Sequence, residues 1–123
     1  MRGNYVMKRV LLIGNKNFGI SFFKTKTYPD MIKNYVLSKR EVQIRLGDEI
    51  VKVEAVNKII KEFSEEERKF IGYDNPKVLM ITYENDELLL KILRDSDIPK
   101  GLFADDFGTL VKLEDFIEKL KNN

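Results

Sequence analysis

Lys77-Val78-Leu79-Met80-Ile81-Thr82-Tyr83, then Glu84-Asn85-Asp86-Glu87-Leu88-Leu89-Leu90-Lys91-Ile92-Leu93, then Pro99-Lys100-Gly101-Leu102-Phe103-Ala104-Asp105-Asp106 is the stretch whose reading decides the fold. An apolar run of strand length, a helix opened by Asn and acids, and a second apolar run make a β-α-β unit. The first strand carries too little alternation for a half-solvated position, so it reads as buried on both faces.

Upstream, Lys8-Arg9-Val10-Leu11-Leu12-Ile13 reads as another buried strand ending at Gly14. Glu41 to Val56 reads as a hairpin: Val42, Ile44 and Leu46 alternate with Glu41, Gln43 and Arg45, and Gly47-Asp48 supplies a two-residue turn with Gly first. That turn places Leu46 opposite Glu49, Ile44 opposite Val51 and Val42 opposite Val53, which makes one side of the ribbon apolar. Val56, Ile59, Ile60 and Phe63 follow at helical spacing, and Ser64-Glu65-Glu66-Glu67 forms a capping box with Gly72 as the C-terminal stop. Thr27-Tyr28-Pro29-Asp30 predicts a helix start, with Ile32, Tyr35 and Val36 on one face and an end near Ser38. Ile20 to Thr27 has no clear period and reads as loop or irregular strand. Beyond Asp106, Thr109 to Lys112 reads as a short strand, and Leu113, Phe116, Ile117 and Leu120 as an amphipathic helix. The expected architecture is one compact α+β domain over residues 1–123, a mixed β-sheet made of the β-α-β unit and the hairpin with flanking helices. Residues 1–6 read as a frayed leader.

Composition narrows the chemistry. With 43% apolar and 34% charged residues the chain is of ordinary globular type, and its Lys/Glu-rich, Cys-, His- and Trp-free makeup is thermophile-like. Without Cys there are no disulfides, thiolate metal sites or thiol nucleophiles, and a cytoplasmic address is the natural expectation. Without His the commonest general base and metal ligand are gone. No cofactor is read from the sequence. Val10 to Ile13 is too short for a signal peptide or a membrane span, so no membrane partner is expected.

The net charge of +2 conceals an asymmetry: up to Arg45 ten cations face only Asp30 and Glu41, giving +8, which leaves −6 for the remainder. Such a split points to a polyanionic partner. Between Lys16 and Arg40, Phe18, Phe22, Phe23, Tyr28 and Tyr35 alternate with basic residues. Cations neutralise phosphates and aromatic faces stack on unpaired bases, so RNA or single-stranded nucleic acid is the expected partner, with Lys16, Lys24, Lys26, Lys33, Lys39 and Arg40 as its contacts. The alternative is a non-catalytic protein-interaction module or homodimer in which basic and acidic parts of two chains meet. A nucleotide-binding enzyme is the third reading. Gly14-Asn15-Lys16-Asn17-Phe18-Gly19-Ile20-Ser21 has phosphate-loop spacing but Ile20 where that loop needs Lys, so a glycine-containing turn is the better reading. Asp105-Asp106 reads as an acidic turn before it reads as a metal site, since adjacent strand residues point to opposite faces.

Lys77-Val78-Leu79-Met80-Ile81, the acid-capped Asp86-Glu87-Leu88-Leu89 helix, Ile98-Pro99, and Leu102-Phe103-Ala104-Asp105 with Thr109 four residues on resemble the C-terminal half of the archaeal and eukaryotic type of peptidyl-tRNA hydrolase. The resemblance implies a mixed sheet flanked by helices, cleavage of the ester joining a peptide to tRNA, and Asp105 and Thr109 as candidate catalytic residues. The family's Gly-Lys and Ala-Gln-x-x-His-Ala signature has no counterpart, since Gly19-Ile20-Ser21-Phe22-Phe23-Lys24 stands in its place. Ile98-Pro99, two short strands and a terminal helix are also similar to the second half of a thioredoxin-like domain, which implies a cis proline before a strand. Lacking Cys, such a domain is a binding module.

Overall fold

The computed structural model describes residues 7–25, 28, 32–95 and 97–122. The leader, Lys26 and most of the expected helix start at Thr27-Tyr28-Pro29-Asp30 lie outside the described residues. Seven strands form one sheet in the order β2-β3-β4-β5-β1-β6-β7. In chain order they are β1 (Lys8–Gly14), β2 (Lys33–Ser38), β3 (Glu41–Leu46), β4 (Glu49–Ala55), β5 (Lys77–Tyr83), β6 (Phe103–Asp105) and β7 (Leu110–Lys112). The helices are α1 (Ser21–Lys24), α2 (Glu65–Ile71), α3 (Asp86–Asp95) and α4 (Leu113–Lys121), with a 3-10 helix at Asn57–Glu62.

The β-α-β unit is present in split form. β5 and β6, joined by α3, each pair antiparallel with β1 lying between them. They are therefore parallel to each other without touching, and every neighbouring pair in the sheet is antiparallel where a mixed sheet was expected. Both faces of the centre are covered, as the apolar runs require. On one face Val10, Leu12, Leu79 and Ile81 pack with Phe23 of α1, Leu88, Leu89, Ile92 and Leu93 of α3, and Leu113, Phe116 and Leu120 of α4. On the other, Leu11, Ile13 and Val78 pack with Phe63 and Ile71, with Ile59 and Ile60 of the 3-10 helix against them. Each such aliphatic side chain contributes about 1.5–3 kcal/mol by leaving water. Among the described residues no helix is long and apolar enough to cross a membrane.

The hairpin has the expected register: Leu46↔Glu49, Ile44↔Val51 and Val42↔Val53. Its turn uses Gly47 at φ +61°, a conformation that favours glycine. The Ser64–Glu67 capping box is reciprocal, and Gly72 closes α2 in the left-handed region.

Two local expectations are corrected. Lys33 to Ser38 is a strand, because pairing with the exposed side of β3, Tyr35↔Gln43 and Val36↔Val42, outweighs the helix-start signal upstream of it. Ile20 to Thr27, expected as loop or strand, contains the four-residue helix α1. Its N–H groups at Phe22 and Phe23 donate to the Gly19 and Ile20 carbonyls, and the fully buried Phe23 ring pins it to the core. The Ile98–Pro99 peptide is trans, so the marker expected of a thioredoxin-like domain is missing.

Candidate nucleic-acid interface

Strand register sorts the charges between the two ends of the sheet. Gly14 at the end of β1 lies opposite Lys77 at the start of β5, Ala55 near the end of β4 lies opposite Leu79, and Ser38 of β2 lies opposite Glu41 of β3. This end therefore gathers Lys16 after β1, Lys39 and Arg40 in the β2–β3 turn, Lys58 and Lys61 on the 3-10 helix, and Lys77. None of these six forms an ion pair with a described residue. Of the nearby acids, Glu41 and Glu54 both turn to Lys52, at 3.7 and 3.6 Å. The opposite end holds Asp48 and Glu49 of the hairpin turn, then Glu84, Asp86 and Asp106. Two of its cations are engaged there: Lys8 bonds Asp86 at 2.6 Å and Lys119 bonds Asp106 at 2.8 Å.

The 3-10 helix is tied to β5 at one end and to α2 at the other. Asn57 Oδ1 accepts the Val78 N–H at 2.8 Å, and Arg68 of α2 donates to the Lys61 carbonyl at 3.0 Å. Two hollows flank it. The larger, about 690 Å³, is lined by Arg40, Asn57, Lys58, Lys61 and Glu62, among others. The smaller, about 290 Å³, shares Asn57 and Lys61 and adds Arg68, Tyr73, Asp74 and Lys77. Sharing Asn57 and Lys61, they make one path lined by five cations, Arg40, Lys58, Lys61, Arg68 and Lys77, and two acids, Glu62 and Asp74.

The structure brings Lys16, Lys39 and Arg40 to this end, and Lys24 joins them by donating from Nζ to the Lys39 carbonyl at 3.0 Å. Lys33 does not belong: it pairs with Arg45 beside the hairpin turn, at the other end of β2. Lys26 lies outside the described residues. The expected aromatic platform is also corrected. Phe18 and Phe23 are buried and Phe22 and Tyr28 pack against the core, since burying these rings leaves more apolar surface out of water than a solvent-facing platform would. Tyr35 alone of the five is exposed, on β2, with the Arg45 guanidinium 5.3 Å from its ring centre. Lys58, Lys61, Arg68 and Lys77 were not foreseen as contacts. Their signal was the pair of lysines three apart after an apolar hairpin, legible only once β4 is paired with β5.

The glycine loop is a turn. A Cβ on Gly14 would stand 2.6 Å from Phe18 Cβ and 2.7 Å from Leu102, so the loop is filled by Phe18 where a phosphate loop stays open.

Asp105 and Thr109 do line one hollow, of about 350 Å³, with Glu62, Glu67 and Phe107. It touches the basic path through Ile59 and Glu62, yet its three carboxylates repel phosphate. Asp106 turns to the opposite face and caps the turn, accepting the Gly108 and Thr109 N–H groups at 3.2 and 3.0 Å. Burial raises the Asp105 carboxyl above its ordinary value, against the Phe107 N–H that donates to it and with help from Glu67 and Asp106. The Lys119 ammonium lowers Asp106, aided by its backbone donors and opposed by partial burial. The two carboxylates thus link to stability with opposite signs. Ionised Asp105 costs stability, a penalty absent below the unfolded value near 3.8 and complete above its raised folded value. Ionised Asp106 contributes stability that is lost as pH falls through its depressed folded value. At pH 7, Asp105→Asn is expected to raise Tm and Asp106→Asn to lower it by about 2 °C, the scale of a partly exposed ion pair. Thermal unfolding from pH 7 downward should show the Asp105 difference vanish below pH 3.8 and the Asp106 difference shrink as pH falls further, and shifts of equal sign at pH 7 would contradict the assignment.

Comparison of the chain with protein-family models, with curated proteins and with solved structures returns no match, so the functional reading rests on this geometry.

Proposed function

We propose that the protein binds RNA or another nucleic acid by its phosphate backbone, along the basic end of the sheet formed by Lys16, Lys39, Arg40, Lys58, Lys61 and Lys77. One observation carries the reading: these side chains come from four separate segments, are brought to one end by strand register, and form no ion pair with a described residue. With the N-terminal aromatics largely in the core, contact is to phosphate more than to base, so weak sequence preference is expected. Binding of tRNA and of a mixed-sequence single strand, titrated against salt, tests it. Four phosphate contacts on a single strand predict a log–log slope of about −3, and a flat dependence would remove the proposal.

The acidic opposite end favours a second reading, in which the basic end of one copy meets the acidic end of another. Light scattering separates the two, because this assembly grows at low salt without any nucleic acid. Ester hydrolysis at Asp105 and Thr109 is a further step that the acidic lining of their hollow does not favour for a polyanionic substrate.

A further inference from the structure

Tyr73, in the connection between α2 and β5, is fixed from two sides. Its hydroxyl donates to the Gly101 carbonyl at 2.6 Å, and its ring meets that of Phe103 at 6.1 Å between centres and 69° between planes. The seat needs glycine: Gly101 has φ +82°, and a Cβ there would stand 2.6 Å from the Tyr73 hydroxyl. The ring is nevertheless only half-buried, and it lines the smaller hollow at the basic end of the sheet with Lys61, Arg68, Asp74 and Lys77. Arg68 is held as well, by its bond to the Lys61 carbonyl at 3.0 Å. Two flat side chains, each fixed by a hydrogen bond, therefore line one cavity of about 290 Å³, close to the lower limit of about 300 Å³ for small-ligand sites.

We propose that this hollow takes one unstacked base of a single-stranded nucleic acid, stacked on Tyr73, while Lys61 and Lys77 hold the phosphates on either side. Aromatic faces and guanidinium planes both stack on unpaired bases, whatever the base. Asp74 repels phosphate from the same cavity, so the backbone keeps to the lysines and leaves the cavity to the base. The inference rests on the proposed binding of nucleic acid along this end and adds a choice of substrate to it. Bases of a duplex are already paired and stacked, so the ligand is a single strand or a loop. Phosphate contacts alone would favour the duplex, whose charge is denser.

A single strand of about twelve nucleotides and an abasic strand of the same length carry equal phosphate charge and so separate base from backbone contact. At one salt concentration the base-bearing strand is expected to bind at least about fivefold more tightly, the low end for one stacked base, and more tightly than a duplex of the same sequence. Tyr73→Leu should remove most of that advantage and Tyr73→Phe should retain it. Tyr35→Leu, which removes the exposed aromatic of β2, should leave it as it was. Equal affinity for the base-bearing and abasic strands, or equal losses from Tyr35→Leu and Tyr73→Leu, overturns the inference and leaves binding by phosphate alone. If neither strand binds, the proposed function falls and takes this inference with it. If Tyr73→Leu fails to fold, photo-cross-linking of the unmodified chain to a strand carrying 5-iodouracil decides: the adduct should map to Tyr73, and an adduct elsewhere overturns the inference.

Discussion

Phe23→Ala is expected to destabilise the protein by about 3–5 kcal/mol, the range for removing a fully buried aromatic ring. A domain of this size has a total stability of about 5–15 kcal/mol, so Tm should fall by more than about 10 °C. The size of the effect follows from what the ring holds. α1 has four residues, far too few to be stable alone, and Phe23 is its buried residue, packed edge-on against Phe22 at 5.0 Å between ring centres. The carbonyls of Phe23 and Lys24 accept both bonds from Asn34 Nδ2, and Lys24 Nζ holds the Lys39 carbonyl. Losing the ring therefore loosens β2 and the Lys39–Arg40 turn as well as the core. Phe23→Leu, which keeps most of the apolar volume, should recover more than half of the loss in chemical denaturation. A Phe23→Ala variant within about 1 kcal/mol of the parent would show that α1 is attached by other means.

The centre of the molecule was legible because its signals are local and repeated. β1 and β5 announce themselves by apolar runs, the hairpin by alternation around Gly47-Asp48, and α2 by a cap at each end. The errors fall where tertiary pairing decides. The Tyr35-Val36-Leu37 segment has no strong period of its own, and the neighbouring open edge of β3 made it a strand. Phe22 and Phe23 gave no helical pattern because a four-residue helix is too short to show one. The site fared likewise: charge counted along the chain found Lys16, Lys39 and Arg40 but also Lys33, which register sends to the opposite end. It missed Lys58, Lys61 and Lys77, which sit in the nominally acidic part of the chain and reach the basic end because β4 and β5 run antiparallel. Charge along a sequence is a one-dimensional average, and a sheet folds that average back on itself every six or seven residues.

That difference separates position from amount in the last experiment. Lys58→Glu with Lys61→Glu and Lys33→Glu with Lys91→Glu each remove two cations and add two acids, taking the net charge from +2 to −2. All four lysines are exposed and form no ion pair with a described residue, so stability should change by no more than about 0.5 kcal/mol in either variant. Long-range attraction to a polyanion falls equally in both. Only the first pair removes contacts from the proposed path and puts carboxylates in their place. Losing an attraction of about 1 kcal/mol at each site and gaining some repulsion amounts to roughly 3 kcal/mol, or about a hundredfold in affinity for a single strand at low salt. Its salt slope should shrink by about 1.4, two phosphates' worth. The second pair should weaken binding by less than about fivefold and keep most of the slope. Equal losses from the two variants would mean that the chain attracts polyanions by net charge without a defined surface. The Lys58 and Lys61 pair decides this best, because it stands on the 3-10 helix shared by both hollows, where a backbone passing from Arg40 to Lys77 must cross.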